Sequence, residues 1–112
     1  MASDSIVVFI TTASGEEAAR LADMLVGARL AACVQILPEI ESVYRWEGKI
    51  ERQSETLLLA KSTRKKFEEL ERQVRMIHSY ETPEIVAVSI AEISEPYLNW
   101  LNESLTTPAS PE

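Results

Sequence analysis

The chain has 112 residues, of which 46% are hydrophobic and 26% charged, the balance of one soluble globular domain with a single core. A formal net charge of −7 repels phosphate backbones and anionic lipid, which makes nucleic acid and membrane surfaces poor partners. The longest apolar runs, Ile6 to Ile10 and Leu57 to Ala60, are far too short to span a bilayer.

The opening Met1-Ala2-Ser3-Asp4-Ser5 carries no positive charge, so it reads as the lead into a first strand and not as a signal peptide. With a single cysteine, Cys33, this favours the cytoplasm, and Cys33 reads as a small buried hydrophobe. Ile6-Val7-Val8-Phe9-Ile10 is a continuous β-branched run, the pattern of a strand covered on both faces. Ser14-Gly15-Glu16-Glu17 forms a capping box, with Ser14 at the N-cap and Glu17 reaching back. Ala18, Leu21, Ala22 and Leu25 then recur at helical spacing, which predicts a helix to about Ala28. Ala32 to Leu37 reads as a second strand that Pro38 bends or interrupts.

Ser42 to Trp46 and Lys49 to Glu51 flank Glu47-Gly48, which predicts a hairpin turned at the glycine. Thr56 to Lys61 continues the returning strand. Ser62 or Thr63 caps a second helix, on which Phe67, Leu70, Val74 and Ile77 make one apolar stripe and Glu68 pairs with Arg72. His78 ends that helix and Pro83 forbids its continuation. Ile85 to Ala91 reads as the last long strand, and Ser94-Glu95-Pro96 opens a third helix with Leu98, Leu101 and Leu105 inward. One domain over residues 1–105 and a flexible tail over 106–112 are expected.

The order strand, helix, strand, strand, helix, strand is the split βαβ, an α+β ferredoxin-like plan with a mainly antiparallel sheet and two helices on one face. One short C-terminal helix covers only part of the other face, and the long hairpin is too extended for a small domain to use alone. Both features predict a second copy supplying the missing surface.

Candidate chemistry gathers at His78-Ser79-Tyr80-Glu81-Thr82-Pro83-Glu84, which holds the chain's only histidine. Imidazole titrates near neutrality and is the commonest metal ligand. One histidine and one cysteine cannot make a four-ligand site in a single chain, so carboxylates, backbone groups or another subunit must contribute. At a helix C-terminus His78 is equally placed for a capping or hydrogen-bonded role. With three glycines there is no phosphate-cradling loop, and no Cys-x-x-Cys, His-Glu-x-x-His or glycine-flanked serine occurs. The chain shows no matched catalytic constellation and is expected not to be an enzyme. Tyr44, Trp46 and Tyr80 suit either a half-wet pocket or hairpin packing between subunits. Lys61 ends an apolar strand, placed to meet an anion or to reach solvent. Trp100 is expected in the core or at an interface.

Four segments carry a resemblance to a known family: Arg29-Leu30-Ala31-Ala32-Cys33-Val34, Tyr44-x-Trp46-Glu47-Gly48-Lys49-Ile50, His78-x-Tyr80-x-Thr82-Pro83-Glu84, and Tyr97-Leu98-x-Trp100-Leu101. In this order they closely resemble the CutA family of divalent-cation tolerance proteins, over residues 6 to 105. The resemblance implies a ferredoxin-like fold, a tight homotrimer joined by sheet-edge pairing through the long hairpins, and a cytoplasmic location for bacterial members. It also implies an association with copper and other divalent ions, and an architecture similar to the PII signalling trimers. Copper ligation in some members uses a cysteine at the end of the first strand and a His-His pair ending the second helix. Here those positions hold Ile10 and Ile77-His78, and Ser79 replaces a common proline. Cys33, Trp46, Lys61, Tyr80 and Glu84 match the family pattern and become candidates for an inter-subunit cleft. The expected function is a trimer that binds a divalent cation, Cu(II) or another, weakly through His78 with Glu84 or Glu81. The alternative is a signalling or scaffolding trimer whose clefts take a small anionic metabolite, with Lys61 as counter-charge.

Overall fold

A computed structural model describes residues 4–106. The elements are β1 (Ser5–Thr12), α1 (Gly15–Gly27), β2 (Cys33–Trp46), β3 (Lys49–Thr63), α2 (Arg64–Ile77), β4 (Ile85–Ser89) and α3 (Glu95–Leu105). Every strand pair is antiparallel and the sheet order is β2-β3-β1-β4. The α+β ferredoxin-like plan with an added C-terminal helix is therefore the observed fold. The tail expected over 106–112 lies outside the described residues except for Thr106, which caps α3.

Alternation along β1 sorts its side chains cleanly. Ile6, Val8 and Ile10 are at most 2% exposed and join Leu58 and Ala60 of β3 beneath Ala18, Leu21 and Leu25 of α1 and Leu70 and Val74 of α2. The opposite sheet face carries α3 near one end, where Leu101 and Leu105 bury against Ala32. Along the rest of that face Val86 and Val88 of β4, paired with Phe9 and Val7, stay about half exposed. Burying a large apolar side chain is worth roughly 1.5–3 kcal/mol, so this row is a substantial unspent gain.

Several local expectations change on contact with the fold. Pro38 does not end β2; the strand runs on to Trp46, with a register shift between Leu37 and Ile40. Leu37 faces Leu57 and Ile40 faces Glu55, so Pro38 and Glu39 together oppose Thr56, a bulge. The bulge places Pro38 where no ladder bond is needed, and Glu39 adopts a φ of 58°. β4 stops at Ser89 instead of Ala91, with Ile90 adding one last backbone bond to the Ser5 carbonyl. The stripe on α2 loses its end, because Ile77 is 50% exposed. Arg72 pairs with Glu69 at 2.6 Å, one position from the expected Glu68. Thr63 occupies the N-cap of α2 without a side-chain bond, while Ser62 donates its hydroxyl to the Leu30 carbonyl instead.

The β2–β3 hairpin projects beyond the helices and makes the molecule long, with principal extents of 56 × 32 × 22 Å. Its turn places both central residues at positive φ, Glu47 at 48° and Gly48 at 80°, the backbone that matches the strands' right-handed twist. Val43, Tyr44, Trp46 and Ile50 on this arm are 40–68% exposed.

Candidate functional site: the turn after the second helix

The turn from His78 to Glu84 is positioned by three elements at once. Its start is the last turn of α2, where the His78 N–H donates to the Val74 carbonyl. Its side is α1: Glu17 sits in the first helical turn, buried, with Ser14 Oγ accepting from the Glu17 N–H. Glu17 does reach back as a capping box requires, although its Oε1 meets the N–H of Ala13 (3.3 Å). The same carboxylate also accepts from the Ser79 N–H through Oε2 (2.7 Å) and from Ser79 Oγ through Oε1 (3.0 Å). One glutamate thus ties the start of the first helix to the end of the second.

The His78 imidazole is wholly buried. Nε2 lies 2.8 Å from the Thr11 carbonyl oxygen, and Nδ1 lies 3.0 Å from the Tyr80 backbone nitrogen. A carbonyl only accepts and a backbone N–H only donates, so the ring must carry its proton on Nε2 and present a bare Nδ1 to Tyr80. Both ring nitrogens are therefore spent. Glu17 Oε2 is 3.6 Å from Nδ1, outside hydrogen-bond range in this tautomer.

Tyr80 carries the network outward to the arm. Its hydroxyl donates to Glu55 Oε2 (2.7 Å), and Gln53 Nε2 approaches that hydroxyl at 3.4 Å. Tyr44 in turn donates to Gln53 Oε1 (2.7 Å). Burial first, then the bond and charge of Glu55, push the Tyr80 hydroxyl well above the usual tyrosine range. For Glu17, burial would raise the carboxyl, but the Ser79 and Ala13 donors and the His78 ring together hold it below the usual range. Glu84 is exposed as a residue, yet partial desolvation of its carboxyl, and then Glu55, hold it above that range.

Within one chain both ring nitrogens of His78 already have protein partners. An imidazole binds a metal through a bare nitrogen, and the one bare nitrogen here is already the acceptor for Tyr80. Among the described residues no group of three or more His, Cys, Asp or Glu is placed to hold a metal ion. Of the carboxylates expected to assist, Glu84 is exposed as a residue and feels the charge of Glu55, and Glu81 is exposed. The residues present in one chain do not fit the implied cation.

The cleft candidates separate into three places. Cys33, half-buried rather than fully buried, pairs across the ladder with Lys61. The Lys61 ammonium lies 5.4 Å from the centre of the Tyr97 ring, a cation–π contact. Tyr80 and Glu84 lie at the base of the arm, beside Glu55, where β3 parts from β1. Trp46 is at the arm's tip, 60% exposed. At about 3.3 Å per residue, the thirteen steps from Cys33 to Trp46 cover roughly 40 Å of strand. No single chain brings Trp46 to Lys61. Trp100, expected in the core or at an interface, is 44% exposed beside Tyr97, so it is not core.

Gln53 and Glu55 were not among the residues singled out from sequence, and Ser79 entered only as part of the turn. Glu17 was recognised only as a cap. Gln53 and Glu55 carry a faint signal, two polar residues at strand spacing that share a sheet face.

A four-stranded ferredoxin-like sheet with a long two-stranded arm, a third helix and a tyrosine-carboxylate turn at the arm's base defines the class. The family model described as "CutA1 divalent ion tolerance protein" matches residues 6–104, and the chain belongs to that family. The "Divalent-cation tolerance protein CutA" of Thermus thermophilus is 48% identical over 98 residues, covering 88% of this chain and 95% of that protein. "Protein CutA, chloroplastic" of Arabidopsis thaliana is 45% identical over 100 residues, and there the chain spans 55% of the relative's length. Among solved structures, that of the Thermus thermophilus protein superposes with a TM-score of 0.87 at 47% identity, covering 89% of this chain and 97% of that one. CutA from Xylella fastidiosa gives 0.89 at 36% identity, covering 93% and 100%.

Proposed function

We propose that this chain serves in divalent-cation tolerance, the role in the names of its relatives, as a homotrimer joined through its hairpin arms. The observation that carries this is the arm itself. A lone two-stranded hairpin is marginal in water, yet this one extends past the helices with Val43, Tyr44, Trp46 and Ile50 exposed. Exposed apolar rows of this kind mark association surfaces. The half-exposed Val86 and Val88 on β4, an edge strand in the sheet order, offer a complementary row and open backbone groups. In the same reading the candidate cleft forms only on assembly, with Trp46 of one copy reaching residues of another.

We further propose that His78 does not hold the cation. Using Nδ1 as a ligand would cost the Tyr80 bond in a site closed to water. Support for the metabolite alternative is weaker, because Lys61 already has the Tyr97 ring as its partner.

Calorimetric titration of the chelator-treated protein with Cu(II) and with Zn(II), beside His78→Gln, tests the cation half of this reading. Binding that is the same in parent and variant is the expected result. Saturable binding, one ion per chain, that disappears in the variant would contradict it.

A further inference from the structure

β3 is flanked by β1 only as far as Thr56, which pairs with Thr12. From Glu55 outward its ladder partner is β2 alone, so the sheet narrows there to a two-stranded arm. The bulge at Pro38 and Glu39 opposes that same Thr56, and Ile40, the first residue beyond it, pairs with Glu55. A bulge bends its strand and interrupts the ladder, and a two-stranded ribbon is marginal in water. The loss of β1 and the bulge in β2 fall at one level, and together they make a hinge.

Tyr80 meets the arm at that level. Its hydroxyl donates to Oε2 of Glu55 at 2.7 Å, and Glu55 is only 7% exposed. Gln53 Nε2 approaches the same hydroxyl at 3.4 Å, and Tyr44 of β2 donates to Gln53 Oε1 at 2.7 Å, so the hold reaches both strands. Behind Tyr80 the mount is fixed to the body. Its N–H donates to Nδ1 of His78, whose Nε2 bonds the Thr11 carbonyl of β1. Ser79, one residue before it, donates to Glu17 of α1 through both its N–H and its hydroxyl.

We propose that Tyr80 is a positioning residue for assembly: its hydroxyl, bonded to Glu55 at the hinge, fixes the angle of the arm, so that the exposed Val43, Trp46 and Ile50 meet a second copy of this chain in one orientation. The inference rests on the proposed homotrimer and adds what sets its geometry. An arm free to swing about the bulge presents those side chains at many angles, and every association must then order it. Holding the arm in place beforehand removes that cost. A bond that merely stabilised one subunit would be felt in that subunit's own folding. A bond that sets the arm is felt when copies meet.

The test is refolding of the full chain from guanidinium at several protein concentrations, with circular dichroism reading the steps within one chain and light scattering reading assembly. Tyr80→Phe keeps the ring and loses only the hydroxyl. Its concentration-dependent step should be about fivefold slower than the parent's, the factor one net hydrogen bond supplies, while the concentration-independent steps keep their rates. Glu55→Gln retains an acceptor for the hydroxyl and should assemble at close to the parent rate. Gln53→Ala cuts the link to Tyr44 and leaves Tyr80 bonded to Glu55. It should slow assembly by a smaller factor, and it serves if Tyr80→Phe does not fold. Assembly of Tyr80→Phe at the parent rate, or a loss confined to the concentration-independent steps, would overturn the positioning role and leave the trimer standing. A parent with no concentration-dependent step would overturn the trimer and the positioning role together.

Discussion

His78 is more important to the fold than its position at a helix end suggests. Replacing it by alanine strands the Thr11 carbonyl and the Tyr80 N–H in a closed site, each at about 1–3 kcal/mol. The expected loss is about 3 kcal/mol in guanidinium unfolding at fixed protein concentration, and a change below 1 kcal/mol would show that water replaces the ring. Glu17 and Tyr80 set opposite pH limits. The Glu17 carboxyl is lowered by folding, so its contribution is full above the ordinary value of 4.5 and fades as pH falls through the lowered one. The Tyr80 hydroxyl is raised by folding, so its contribution is full below the ordinary value of 10.0 and is lost as pH climbs past it. Glu17→Gln should therefore flatten the acid side of the stability profile and Tyr80→Phe the alkaline side, each leaving the other side unchanged. Only fragments of this were legible in the sequence: the reach-back of Glu17 and a hydrogen-bonded place for His78. Thr11, Glu17 and His78 are up to 67 residues apart, and only the folded chain shows that one imidazole is shared among them.

At the scale of elements the sequence was far more open. The switch from strand period to helix period located each helix and strand, because each buries one continuous face. The errors fall where a property belongs to two elements at once. Pro38 reads as bending or interrupting its strand because a proline lacks a donor, and the form this takes, a bulge, is a relation between β2 and β3 that neither segment shows alone. Ile77 falls on the apolar stripe by spacing, but it is half exposed, while the next side chain, His78, is the one buried against β1. Two weak points of local chemistry can be improved. Glu47 occupies a positive-φ turn position that asparagine prefers, so Glu47→Asn should stabilise the protein by about 0.5 kcal/mol. Helix α2 begins with Arg64, Lys65 and Lys66 and no acid in its first turn, against the helix dipole. Lys65→Glu should therefore add about 0.5 kcal/mol at low salt, and less as salt rises. Thermal unfolding of the two variants at two ionic strengths distinguishes the effects, since only the second should depend on salt.

For the whole molecule, fold class and family were both within reach of the sequence, since four motifs lie in order along a chain whose element order already specified the split βαβ. What a single chain does with its arm was not. Its apolar tip leaves Trp46 60% and Ile50 68% exposed, and the cleft candidates lie apart within one chain. The proposed trimer rests on that arm, so its size is the direct test. Light scattering on the purified protein, beside Trp46→Asp, should give a parent mass three times the 12.6 kDa of one chain. The variant should show smaller species, as a charge replaces the indole at the joint. A parent that runs as a folded monomer would contradict the account.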